Sequence, residues 1–121
     1  MSVASRIGSF VGIFILAVGC SKKSSWDLSE MLQQGKYDAV IETGTERIQK
    51  NPEDFGTIIL IGDAYYRKAL EFNRNAHRSY TPEGAALAKK AIDYYRQAKE
   101  IKPSMRVDQK IGIAGALMSP G

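Results

Sequence analysis

The chain has 121 residues, of which 44% are hydrophobic and 25% charged. These values are typical of one small globular domain and exclude a chain that is disordered throughout. The net charge of +4 is too small and too evenly spread to favour binding to nucleic acid. Cys20 is the only cysteine, so no internal disulfide can form and the fold has to depend on its apolar core.

The N-terminal residues have the order of a secretory signal. Arg6 is followed by an uncharged, mostly apolar stretch, residues 7–19, and then by Cys20. This stretch is shorter than the roughly 20 residues that a membrane-spanning helix needs. The pattern therefore predicts a helical signal peptide, residues 1–19, that is removed on export.

The four residues before Cys20 resemble the lipobox of bacterial lipoproteins, and they are Leu16, Ala17, Val18 and Gly19. The resemblance implies cleavage before Cys20, a diacylglycerol on its thiol and a further acyl chain, such as palmitate, on the freed amine, with no other cofactor. A lipoprotein has at least two acyl chains, which is enough for stable anchoring in a membrane. Ser21 follows the cysteine, and by the same resemblance this favours the periplasmic face of the outer membrane in a two-membrane bacterium. The alternative is a signal anchor, or a plain signal peptide with an incidental cysteine.

The rest of the chain predicts an all-α domain, residues 26–118, between a tether, residues 20–25, and a disordered tail, residues 119–121. Its apolar residues recur at helical spacing and its turns are short, which is typical of antiparallel helical hairpins. The start and stop signals predict helices at residues 26–34, 37–50, 53–76 and 82–101, the last capped by Thr81. A fifth helix, capped by Ser104, is predicted to run to about Met118. The run 57–61 has the composition of a strand, but its length and the pattern that follows favour a helix.

Particular residues carry more specific expectations about these helices. Gly35 is expected to end the first helix. Gly44, inside the second, predicts the close approach of a neighbouring helix. Apolar side chains at helical spacing predict a stripe on the third helix, with Ile58, Ile61, Tyr65 and Phe72. The predicted stripe of the fourth helix consists of Leu87, Ala91, Ile92, Tyr95, Ala98 and Ile101, and the apolar residues of the fifth helix include Ile111, Ile113 and Leu117.

Two segments of the domain share one pattern, since aligning Pro52 on Pro103 places Ile41 on Ile92. Both resemble the tetratricopeptide repeat (TPR), a pair of helices of about 34 residues. Extra residues at 71–86 predict an elongated central hairpin. The positions that match the structural signature of the repeat are Gly35, Tyr37, Ile41 and Pro52 in the first unit and Ile61, Gly62, Tyr65, Ala91, Tyr95, Ala98 and Pro103 in the second. Ile111-Gly112 begins a third, unfinished unit.

The repeat resemblance implies a protein-binding scaffold, because such folds present an extended surface to a partner. Residues that flank the Ile61-Gly62 pair are expected to face the groove, and the candidates for partner binding are Ile59, Asp63, Tyr66 and Arg67. The alternative is a solvated helix face with an incidental ion pair. The partner that this predicts is an envelope protein, besides the membrane itself.

Neither catalysis nor a metal site is predicted. The sequence has no nucleophile beside a base, no phosphate loop and no paired carboxylates, and His77 is the single histidine. A second prediction is a small-ligand-binding lipoprotein that serves a membrane transporter. Residues 111–118 are expected either to cap the domain or to bind a partner or a second copy of the chain.

Overall fold

The computed structural model describes residues 25–120. Within them lie five α-helices and no strands: α1 (Ser25–Gln33), α2 (Tyr37–Lys50), α3 (Phe55–Asn75), α4 (Pro82–Ile101) and α5 (Met105–Gly115). The all-α prediction is confirmed for this part of the chain, including the run 57–61. None of the described helices is both long and apolar enough to cross a bilayer. The predicted signal peptide, Cys20 and residues 21–24 of the tether lie outside the described residues.

Side-chain oxygens set where three of the helices begin. Helix α3 starts at Phe55 rather than at the predicted Glu53, because Asp54 caps it and accepts the N–H of Thr57 at 3.2 Å. Thr81 caps α4 and Ser104 caps α5 in the same way, as predicted. An accepting side chain satisfies a backbone donor that has no partner within the helix, so the helix begins just after it.

Two helices end with a residue in the left-handed conformation. At the end of α1, Gly35 has a φ of +80° and the N–H of Lys36 donates to the carbonyl of Met31. At the end of α3, His77 has a φ of +56° and the N–H of Arg78 donates to the carbonyl of Asn73. Both are Schellman motifs, and glycine is the usual residue at the left-handed position. His77 is exposed, and its position is that of a helix cap.

Replacing His77 by glycine is expected to stabilise the domain by about 1 kcal/mol, because a side chain in the left-handed conformation costs about that much. Urea denaturation followed by circular dichroism measures the difference. His77→Ala is the matched control and is expected to give no gain. Equal stability of the glycine variant and the wild type would show that the left-handed turn is not strained.

Consecutive helices run antiparallel. Near the start of α2, the carboxylate of Asp38 lies 2.7 Å from the ammonium of Lys68 in the second half of α3. Further along α2, Gly44 packs against Ile61, which is closer to the start of α3. A Cβ at position 44 would lie 2.7 Å from Cγ1 of Ile61. The expectation that Gly44 marks a close helix approach is therefore confirmed.

The two proline-containing turns have nearly the same backbone geometry. Asn51 follows α2 with φ and ψ of −139° and 85°, and Lys102 follows α4 with −147° and 98°. Each donates its N–H to the carbonyl four residues earlier. The prolines then prevent the helices from continuing. The chain therefore leaves α2 and α4 with similar local geometry.

The buried side chains form two clusters on either side of α3. One joins α1, α2 and α3 through Leu32, Val40 and Ala64. The other joins α4 and α5 through Ala91, Ile92, Tyr95, Val107 and Ala114, and partly buried residues of α3 pack against it. Phe72, which helical spacing assigns to the apolar stripe of α3, is 43% exposed, and Ile113 of α5 is 55% exposed. Beyond its contacts with α2 and α4, the end of α3 has no further helix to cover Phe72.

Candidate interaction groove

Helix α5 lies beside α3, and the surface between them holds two clefts that we name together the α3–α5 groove. The cleft nearer the start of α3, which we call the lower cleft, has a volume of about 350 Å³. It is largely apolar, with Phe55, Ile59, Leu60 and Val107 in its lining. The upper cleft is smaller, about 140 Å³, and is lined by Asp63, Tyr66, Arg67, Tyr95, Lys110 and Ile113. Ile59 and Asp63 are one helical turn apart on α3, so the clefts follow each other along that helix.

The four candidate partner-binding residues all border this groove. Asp63, Tyr66 and Arg67 line the upper cleft and Ile59 lines the lower one. Tyr66 and Ile59 also pack against the buried cluster of α4 and α5. Arg67 is exposed. The four residues chosen because they flank the Ile61-Gly62 pair therefore share one face of α3 and border the same groove.

The carboxylate of Asp63 is engaged within the protein. It accepts the hydroxyl of Tyr95 at 2.5 Å and the ammonium of Lys110 at 3.0 Å. The Lys110 ammonium also lies 5.8 Å from the centroid of the Tyr95 ring. The three side chains come from α3, α4 and α5, so this network fixes the relative positions of all three helices. Because Lys110 neutralises Asp63, Arg67 leaves the upper cleft with a net positive charge.

The hydroxyl of Tyr95 stays protonated in this arrangement. Burial raises the pKa of Tyr95, and the negative charge of Asp63 and the hydrogen bond to it raise the pKa further. The phenol therefore remains a donor across the physiological pH range. This residue matches the repeat signature as a structural position, and the structure places it both in the core and in the wall of the upper cleft.

Lys110 and Ile113 belong to the groove although the candidate set from the sequence leaves them out. Ile113 follows Ile111-Gly112 in the same way that Asp63 follows Ile61-Gly62. Applying one offset to both pairs would have found Ile113. Lys110 gives no such signal, since its role depends on a carboxylate 47 residues earlier in the chain.

Replacing Lys110 by methionine is expected to destabilise the domain by about 1 kcal/mol, because it leaves a partly buried carboxylate without its cation. The side chains of Lys110 and Asp63 are 30% and 17% exposed, so water screens part of the interaction. Urea midpoints by circular dichroism give the difference. Lys89→Met is the matched control, because the Lys89–Asp93 pair is mostly exposed and its loss is expected to change the stability by less than about 0.5 kcal/mol. Equal effects would show that the Asp63 network does not stabilise the fold.

The chemistry available in the groove is that of binding. Arg67 and Lys110 offer positive donors, Tyr66 offers an aromatic ring, and the lower cleft offers apolar side chains. Among residues 25–120, no group of three or more histidine, cysteine, aspartate or glutamate residues could hold a metal ion. A segment with an acidic group beside apolar side chains would be complementary to these features.

In comparisons with protein-family models, curated proteins and solved structures, nothing matches this chain. The resemblances to lipoproteins and to the TPR therefore rest on the motifs of the sequence.

Proposed function

We propose that the chain is a lipid-anchored envelope protein and that its TPR-like domain acts as a non-enzymatic scaffold for protein–protein interaction. The observation that carries this proposal is the α3–α5 groove, which collects Ile59, Asp63, Tyr66 and Arg67 along one face of α3. Scaffolds of helical hairpins bind their partners in surfaces of this kind.

Packing between α3 and α4 supports the TPR-like interpretation. Gly62 lies against the ring of Tyr95, and a Cβ at position 62 would be 2.6 Å from Cε1 of that ring. Ala91 and Ala98 are completely buried. Gly62 and the small buried side chains of α4 allow the two helices to approach closely, and small residues at these positions are part of the repeat signature.

The charges of the groove favour a partner that presents a carboxylate. Within the described part of the chain, Arg67 has no carboxylate oxygen within 4.0 Å, whereas Asp63 is already paired with Lys110. An acidic side chain or a C-terminal carboxylate would satisfy Arg67. The apolar lower cleft would then receive a neighbouring side chain of the same partner.

The partner proposal is tested by cross-linking in cells followed by affinity capture of the detergent-solubilised protein. A protein that is recovered with the wild type should be lost with Arg67→Glu and with Tyr66→Ala. Arg96→Glu is the matched control, because Arg96 is an exposed arginine of α4 that lines neither cleft. Recovery of the same protein with all three variants would contradict a binding role for the groove.

The anchor is tested separately. Mass spectrometry of the mature N-terminus should find a diacylated Cys20, and Cys20→Ala should release the protein from membranes. A Cys20→Ala protein that is still cleaved at the same place and still sediments with membranes would refute the lipid anchor.

A small-ligand carrier is the second candidate, and the lower cleft favours it. Its volume of about 350 Å³ falls at the lower end of the range of ligand sites, which is about 300–1,000 Å³. Native mass spectrometry of the purified protein should then show a bound small molecule, and Ile59→Trp should remove it by filling the cleft. A wild-type protein that carries no added mass would count against this function.

A further inference from the structure

The turn between α4 and α5 carries an unusually exposed apolar side chain. Met105, the first residue of α5, is 78% exposed, more than any other large hydrophobic residue of the described chain. Val107, two residues later, is buried. Lys102 and Arg106 lie close to Met105 in the sequence, and both are exposed. The turn therefore presents a thioether side chain between two cationic ones.

Neither cation forms an ion pair within the described residues, although the Lys102 ammonium lies 5.7 Å from the centroid of the Phe55 ring. Neither Lys102 nor Arg106 has a carboxylate oxygen within 4.0 Å in residues 25–120, whereas the nearby Asp108 is paired with Lys99 at 2.7 Å. The α2–α3 turn adds acidic residues at this end of the domain, and Asp54 there is bound to Thr57. Lys102 and Arg106 are thus the two cationic side chains nearest to Met105 in the chain, and both lack an ion-pair partner among residues 25–120.

This turn lies at the end of the domain where the described chain begins. Ser29 of α1 lines the lower cleft together with Phe55, Ser104 and Arg106. Helix α1 starts at Ser25, one helical turn before Ser29, and Ser25 is five residues after Cys20. Five extended residues reach about 17 Å at most. A lipid on Cys20 therefore holds this end, and not the α3–α4 turn, close to the bilayer.

We propose that the α4–α5 turn is a membrane-contact surface, with Met105 inserted at the bilayer interface and Lys102 and Arg106 bound to lipid phosphate groups. The proposal rests on the lipid anchor of the proposed function. One apolar side chain and two bases do not hold a soluble domain on a bilayer alone. A tether of five residues raises their local concentration at the surface, so the same weak contacts suffice to orient the domain.

The orientation has a consequence for the groove. Helix α3 spans 21 residues, and at 1.5 Å per residue it extends about 30 Å. With Met105 at the bilayer, the α3–α4 turn points away from the membrane, and the upper cleft with Arg67 lies above the lipid headgroups. A partner in the periplasm would reach the upper cleft without displacing the membrane contact.

The test is the depth of single tryptophans in bilayers. The mature chain, beginning at Cys20, is coupled through that thiol to a maleimide phospholipid, which is specific because Cys20 is the only cysteine. Trp26→Phe removes the only tryptophan, and Met105→Trp introduces a new one. Phe72→Trp, at an exposed position toward the other end of α3, is the matched control. The vesicles contain phosphatidylcholine and phosphatidylglycerol with brominated acyl chains, which quench fluorescence on contact.

The tryptophan at position 105 is expected to be quenched about twofold or more, since an interfacial side chain reaches the acyl boundary, while the one at position 72 keeps its intensity. Adding Lys102→Glu and Arg106→Glu should abolish most of the quenching. Equal quenching at the two positions, or none at position 105, would overturn the proposal. A blue shift at position 105 that depends on protein concentration and needs no vesicles would overturn it too, because a second copy would then cover the turn. Chemical coupling replaces acylation by the cell, so the outcome does not depend on whether Cys20 is lipidated there or on whether the groove binds a partner.

Discussion

Replacing Tyr95 by alanine is expected to destabilise the domain by about 3–5 kcal/mol, the usual cost of removing a buried aromatic ring. The ring is 1% exposed and belongs to the cluster that joins α4 to α5. It also packs against Gly62 of α3, where no side chain could fill the space that it leaves. A loss of this size is comparable with the whole stability of a small domain. The measurement is urea denaturation followed by circular dichroism.

Tyr95→Phe is the matched control, because it keeps the ring and removes only the hydroxyl. Its expected cost is about 1 kcal/mol, since Asp63 loses one hydrogen bond and keeps Lys110. If the alanine and phenylalanine variants were equally destabilised, the hydrogen bond rather than the ring would hold the three helices together. If both were as stable as the wild type, the packing around position 95 would be of no energetic importance.

The difference in stability between the wild type and Tyr95→Phe is expected to depend on pH. The pKa of Tyr95 is raised in the folded state by burial and by Asp63, whereas in the unfolded chain it is about 10. The stabilisation by its hydroxyl is therefore complete below about pH 10 and is lost as the pH rises above it, at up to about 1.4 kcal/mol per pH unit. The chain has six tyrosines, so the measured quantity is the difference between the wild type and Tyr95→Phe. A difference that stays constant from pH 8 to pH 11 would contradict the raised pKa.

The second large effect is expected at Gly84, where alanine should destabilise the domain by about 2 kcal/mol. A Cβ at this position would overlap the side-chain amide of Asn73 on α3. That amide cannot easily move, because its oxygen accepts the hydroxyl of Thr81 at 2.6 Å and its nitrogen donates to the carbonyl of Ser79 at 3.3 Å. Asn73 and Thr81 are both buried, so displacing them would leave polar groups without partners.

Gly112→Ala is the matched control for Gly84→Ala. A Cβ at position 112 would meet no atom within 4 Å, and alanine is better than glycine in a helix by about 1 kcal/mol. Thermal unfolding should therefore show a lower midpoint for Gly84→Ala and a higher one for Gly112→Ala. A Gly84→Ala protein as stable as the wild type would mean that the buried network of Asn73 adapts at no cost.

Most of the helix boundaries could be predicted because their signals are local. Helix α2 has the predicted bounds. One or two neighbouring residues set each of the other predicted boundaries, namely the end of α1 at Gly35, the starts of α4 and α5 after Thr81 and Ser104, and the helix ends before the two prolines. The start of α3 was missed by two residues and the end of α5 by about three, since α5 ends at Gly115 rather than near Met118. Asp54 is acceptable both as a residue of the first turn and as a cap, and only its bond to the N–H of Thr57 distinguishes the two roles.

The candidate site could be predicted in part. The resemblance to the TPR selected Ile59, Asp63, Tyr66 and Arg67, and residues at these positions of one helix share a face. The same resemblance could not show that Asp63 is engaged by Tyr95 and Lys110. That engagement changes the expected binding chemistry, because the groove offers Arg67 as its free charge.

The sequence by itself determined that the domain is helical and where most of its helices start and stop. Only the tertiary structure decided that α5 lies beside α3, that Lys110 reaches Asp63, and that Phe72, Ile113 and Met105 are left at the surface. The physical reason is the range of the interactions. A cap or a proline acts within a few residues along the chain. Burial and ion pairing depend instead on which distant helix lies alongside. Apolar residues have the same helical spacing in the sequence whether or not a neighbouring helix covers them.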